Sequence, residues 1–186
     1  DLLSNGAMPG REGSIYTGVL TFDGDETYDI KAVYTDLAGN ESEETYSLFT
    51  VDETAPGINV KYDNDSEYVN ASREVTIEIT EKYFDKNRVS VYVKKSGEQV
   101  FLGYLSWTSE NGKHISKITL SDDGYYEITV SASDRAGNRP EDFISSPFVI
   151  DTDPPVISVD GLSYGKSYNG ECMADIQISD DNYDRS

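Results

Sequence analysis

The chain has 186 residues, and its 35 Asp and Glu against 15 Lys and Arg give a formal net charge of −20 at pH 7. Such a field repels phosphate backbones and anionic bilayers, which excludes binding nucleic acid or a membrane surface by general attraction. A single cysteine, Cys172, excludes an intrachain disulfide, and no apolar run is long enough to insert in a membrane.

No leader pattern is visible, and the first residue is Asp1 rather than Met, so the chain is expected to be a piece of a longer protein. Residues 1–13 (DLLSNGAMPGREG) are rich in Gly, Pro and Asn and read as an irregular lead-in. From there Tyr16, Gly18, Leu20 and Phe22 alternate with Thr17, Val19 and Thr21, which predicts a strand with one inner face. Tyr28, Ile30, Ala32 and Tyr34 form the next inner face, and Phe49 and Val51 the last before a linker at 52–57 (DETAPG). Proline fixes its own backbone there and biases the residue before it to be extended.

Ile58 and Val60 open a new set of strands. Val75, Ile77 and Ile79 alternate with Thr76, Glu78 and Thr80, and Val89, Val91 and Val93 with Ser90, Tyr92 and Lys94. Val100–Leu105 reads as a looser strand; Ser116, Ile118 and Leu120, then Tyr126, Ile128, Val130 and Ala132, then Phe148 and Ile150 complete the set. After a second linker, 151–155 (DTDPP), the pattern restarts with Ile157 and Val159, then Ala174, Ile176 and Ile178.

The chain repeats itself. Asp36, Ala38, Gly39 and Asn40 recur as Asp134, Ala136, Gly137 and Asn138, while Phe49, Asp52, Pro56 and Ile58 recur as Phe148, Asp151, Pro155 and Ile157. Short alternating strands, turn signals between them and no helical period predict an all-β chain of tandem, immunoglobulin-like antiparallel β-sandwiches. The repeat gives a complete module at 52–150, a partial module at 1–51 holding the later strands, and a partial module at 151–186 holding the first ones. The two partial modules would leave apolar faces uncovered, so head-to-tail self-association through them is expected.

Asp122, Gly124 and Tyr126 have the spacing of a tyrosine corner, in which the Tyr hydroxyl bonds back to the backbone; Tyr28 stands in register after Asp23. The D-x-A-G-N turns need Gly at a position of positive φ, with Asp and Asn bonding to nearby backbone groups. Catalytic chemistry is poorly supplied: His114 is the one histidine and reads as a packed strand residue, and Cys172 reads as a half-buried thiol. No triad or zinc site can be assembled, so the chain is not expected to be an enzyme. The carboxylates read either as a solvated, non-sticky surface or as ligands for calcium. The loop before the sixth strand and the exit linker should meet the next module, gathering Asp122, Asp123, Asp151, Asp153, Asp180, Asp181 and Asn182. Of the 14 tyrosines, Tyr92 should project from a wet face and Tyr62, Tyr68 and Tyr83 fall near loops, making these four the candidate binding residues.

The string DGYYEITVSASDRAGN, followed by FVIDTDPPVISV, resembles the tandem bacterial Ig-like repeats of large Gram-positive surface proteins, with their D-x-A-G-N turn and VD-T-x-P linker. The chain departs from that linker at Glu53 and Asp153, where Thr is usual. The resemblance implies an extracellular location, on the bacterial surface or secreted, and a stalk or spacer role with no required cofactor. It also implies two alternatives: an adhesive module for a host glycoprotein, immunoglobulin or glycan, and an accessory module of a secreted glycosidase.

Overall fold

The computed structural model describes residues 10–12 and 15–182. Two compact units divide it: one of 1–55 with 135–138, the other of 56–134 with 139–186.

The first unit holds two antiparallel pairs. Strand β1 (Gly10–Glu12) pairs with β2 (Ile15–Thr17), and β3 (Glu26–Ala32) with β4 (Thr45–Val51), placing Tyr28 opposite Phe49. Two expectations change here. The lead-in read as irregular contributes β1, and the strand expected over Tyr16–Phe22 ends at Thr17. Phe22 leaves the ladder and packs its ring 4.8 Å from Tyr28 and 5.1 Å from Phe49. Aromatic contact outweighs continued pairing at this point.

The second unit contains β5 (Gly57–Tyr62), β6 (Tyr68–Val69), β7 (Arg73–Thr80), β8 (Val89–Lys95), β9 (Glu98–Val100), β10 (Thr108–Glu110), β11 (Lys113–Leu120), β12 (Gly124–Ala132), β13 (Phe143–Ile144) and β14 (Phe148–Ile150). A four-stranded sheet runs β10-β11-β7-β5. The larger sheet runs β6-β14-β12-β8-β9, with β13 also paired to β12. Every pair is antiparallel except β6 with β14.

Alternation dictates the core. Val75, Ile77 and Ile79 on β7 face Tyr126, Ile128 and Val130 on β12, with Val93, Ile118, Leu120, Phe148 and Ile150 filling the rest. Each of these is under a tenth exposed, as expected for two inner faces that interdigitate. Arg73 closes one end of the core, its guanidinium 4.3 Å above the Phe148 ring and an Nη donating to the Ser66 carbonyl. The looser strand expected over Val100–Leu105 is a ladder only to Val100. Beyond it Leu102, Leu105 and Trp107 pack on the core, while Phe101 and Tyr104 point into solvent.

Strands β15 (Val156–Asp160) and β16 (Asp175–Ser179) form a separate antiparallel pair. Ile157 stands opposite Ile178 and Val159 opposite Ile176, the register that Ile58–Ile79 and Val60–Ile77 take between β5 and β7. Here these side chains are exposed, Ile157 and Ile176 by 63% each.

Candidate functional site

The corner tyrosines organise each unit's exit. Tyr126 donates its hydroxyl to the Asp122 carbonyl at 2.7 Å, and Tyr28 donates to the Asp23 carbonyl at 2.5 Å. Burial pushes the Tyr126 hydroxyl above its ordinary pKa, and the charges of Asp122 and Asp123 push the same way. With the backbone fixed by this bond, the neighbouring carboxylate reaches the linker. Asp123 Oδ1 accepts from the Thr152 amide at 3.1 Å and from its hydroxyl at 2.9 Å. In the first unit Asp25 Oδ1 accepts from the Glu53 amide at 2.7 Å, and Oδ2 accepts from the Thr54 hydroxyl. Asp25 and Asp123 occupy corresponding places in the repeat, so the same brace is built twice from its residues.

The D-x-A-G-N turns behave as their chemistry requires. Asp36 Oδ1 accepts from the Ala38 and Asn40 amides, and Oδ2 accepts from the Asn40 side chain, each at 2.8 Å. These bonds, the Asn40 side chain's first, hold the Asp36 carboxyl below the usual carboxylate range. Gly39 and Gly137 adopt φ of 87° and 101°. Asp134 is fully buried, and Asn138 donates its side-chain amide to the Asp52 carbonyl at 2.8 Å.

Of the seven residues expected around calcium, six line one groove of about 700 Å³: Asp123, Asp151, Asp153, Asp180, Asp181 and Asn182. Asp122 turns away and pairs with Lys95 at 3.2 Å. Within the groove Asn182 donates to Asp151 at 2.5 Å, Asp151 accepts from the Asp153 amide, and Asp180 accepts from the Asn182 amide. Much of the carboxylate capacity thus braces the linker and the loop after β16. Among the described residues no group of three or more His, Cys, Asp or Glu is placed to hold a metal ion.

The four candidate tyrosines separate. Tyr68 and Tyr92 are exposed, by 57% and 50%. Tyr83 is half-buried, with Lys82 Nζ 5.2 Å from its ring centre. Tyr62 does not belong with them: it packs 5.7 Å from Phe148 under the Arg73 guanidinium, and burial raises its hydroxyl pKa. Ile58, Val60 and Tyr62 all face inward on β5, so strand alternation, not nearness to a loop, decides its place. One residue that the sequence reading passed over joins the exposed group. Tyr125 alternates with the buried Tyr126, faces out from β12, and lines the same groove as Tyr68.

His114 is buried; its Nε2 lies 2.8 Å from the Glu81 carbonyl, its Nδ1 2.7 Å from the Ser109 hydroxyl, and its ring stacks on Phe84 at 3.9 Å. That is a satisfied packing residue, with both nitrogens occupied within the fold. Cys172 is exposed, against the half-buried thiol expected; it precedes β16, and the β15–β16 pair it adjoins is itself exposed along its whole length.

Two antiparallel sheets around one core, with a tyrosine corner, define an immunoglobulin-like β-sandwich. Residues 23–143 match the family described as bacterial Ig-like domain (group 3), and the chain belongs to that family. No curated protein and no solved structure matches it. Among the described residues no helix is long and apolar enough to cross a membrane.

Proposed function

We propose that the chain is a non-catalytic spacer segment of an extracellular bacterial surface protein, in which tandem Ig-like modules hold a fixed direction. One observation carries this reading: at both linkers a carboxylate beside the tyrosine corner grips the chain as it leaves, Asp25 on Glu53 and Thr54, Asp123 on Thr152. Prolines at 56, 154 and 155 stiffen the same stretches. A stalk needs both devices, because a freely jointed linker would let successive modules swing. Backbone ¹⁵N relaxation tests it. Thr152, Asp153 and Val156 should show order parameters near those of strand residues, about 0.85, and Asp123→Ala should lower them toward about 0.6. Values already that low in the unaltered protein would overturn the spacer reading.

The adhesive alternative has its own support in Tyr68, Tyr92 and Tyr125, which present aromatic surface on one face of the larger sheet. Nothing in the site favours the third alternative, an accessory role beside a glycosidase.

A further inference from the structure

The larger sheet turns one side inward, through Val69, Tyr126, Phe148 and Ile150. Its other side carries a short row set by register: Tyr68 on β6 stands beside Val149 on β14, and Val149 beside Tyr125 on β12. Side chains in one row of a sheet share a face, so the two tyrosines flank Val149 on the outside. Tyr68 is 57% and Tyr125 45% exposed, and together with Val149 they line a groove that Asp123, Asp151, Asp153, Asp180 and Asp181 also line.

Carboxylates alone would argue nothing, since a chain with net charge −20 displays them widely. The lining as a whole is selective. No lysine or arginine contributes to this groove, whereas Lys117 lines the groove beneath residues 100–106 and Arg73 the groove beside β5. The charge is also spread rather than focused: no three carboxylates among the described residues are placed for a metal ion. Two exposed tyrosine rings in a groove lined by carboxylates suit a flat, weakly hydrated organic cation. Arginine is the side chain of that description, because its guanidinium stacks on aromatic faces while its N–H groups bond to carboxylates.

We propose that this groove is a docking surface for an arginine-bearing peptide segment of a partner protein. The proposal goes beyond the spacer reading and stands apart from it, since a stiff linker and an occupied groove are measured separately.

The test titrates ¹⁵N-labelled protein with acetyl-tetra-arginine amide in 150 mM salt, where the screening length is about 8 Å and remote charges contribute little. Acetyl-tetra-lysine amide serves as the comparison. The expected result is saturable shifts centred on Tyr68, Tyr125, Val149 and Asp181, with tighter binding of the arginine peptide. Tyr68→Ser and Tyr125→Ser should each weaken binding roughly two- to fivefold, the range expected for an exposed cation–π contact. Asp181→Asn should weaken it as well, and Tyr104→Ser, in the loop at 101–107, should leave it unchanged. Three results would overturn the proposal: no saturable shifts, equal affinity for both peptides with the tyrosine variants unaffected, or shifts spread evenly over the acidic surface. Unchanged amide spectra away from the mutated positions would show that the variants are folded.

Discussion

At the residue scale, the glycine of the second D-x-A-G-N turn isolates a conformational requirement from a steric one. Gly137 has φ of 101°, and a Cβ built there meets nothing within 4 Å. Gly137→Ala should therefore cost about 1 kcal/mol through backbone strain alone, lowering Tm by roughly 4–8 °C. Calorimetry showing the unaltered melting temperature would remove that argument. Tyr126 supplies a pH signature. Its folded pKa is raised, so the neutral hydroxyl is favoured by folding, and its contribution is complete below the ordinary tyrosine value of about 10. That contribution is lost as pH rises through the folded value. Denaturant unfolding should show stability falling as pH rises above about 10, and Tyr126→Phe should flatten the fall while costing about 1 kcal/mol at neutral pH. An unchanged alkaline slope in Tyr126→Phe would contradict this assignment, leaving the half-buried Tyr62 as the source. The corner was legible because D-x-G-x-Y is a local pattern whose bond closes within four residues. Cys172 was not legible, because burial at its position needs a covering sheet, and the β15–β16 pair beside it is exposed throughout.

At the scale of elements, long alternating strands were readable and short ones were not. Strands β7, β11 and β12 bury every second residue over eight or nine positions, a period that no other structure shares. Strands β6 and β13 have two residues each and thus no period; neighbouring strands create them. The stretch at Tyr16–Phe22, which alternates, and that at Val100–Leu105, expected as a looser strand, both leave the ladder, because Phe22, Leu102 and Leu105 reach apolar neighbours from loops. The gathering of aspartates at the second junction was legible for the same reason that the linker was: the repeat places the loop before β12 and the loop after β16 at one end of the module. The grip of Asp123 on Thr152 was not, since it depends on side-chain reach. Calcium at this junction is the competing proposal for the same groove; it needs a rearrangement, because no three carboxylates among the described residues stand placed for a metal ion, and it has a direct test. Uptake would require Asp153 and Asp181 to close on Asp151 and Asp180, supplying hard oxygen ligands from two segments, the linker and the loop after β16. Calorimetry at millimolar Ca²⁺ should then give saturable heat that Asp181→Asn removes; absence of heat would rule the ion out.

At the scale of the whole molecule, the β15–β16 pair poses the main physical problem. Ile157, Val159, Ile176 and Ile178 are 45–63% exposed, while their counterparts Ile77 and Ile79 in the complete sandwich are almost fully covered. An isolated two-stranded pair is marginal in water, so a covering partner would stabilise it. We propose that β3–β4 of a second copy can supply that cover. Its Tyr28–Phe49 register matches the Tyr126–Phe148 register of the strands that cover β5 and β7. Light scattering over a dilution series should show a concentration-dependent rise in mass, weakened by Ile176→Asp. A constant monomer mass at high concentration would contradict self-association.

If the corner carboxylate holds the linker, as proposed, the chain leaves the module in a fixed direction. Electron–electron distance measurement tests this most directly, with spin labels at Lys94→Cys on β8 and Gln177→Cys on β16 in a Cys172→Ser background. Both positions are exposed, so the labels should not disturb the core. A held linker gives one narrow distance distribution, which broadens when Asp123 is replaced by Ala. A broad or multiple distribution with Asp123 intact would contradict it.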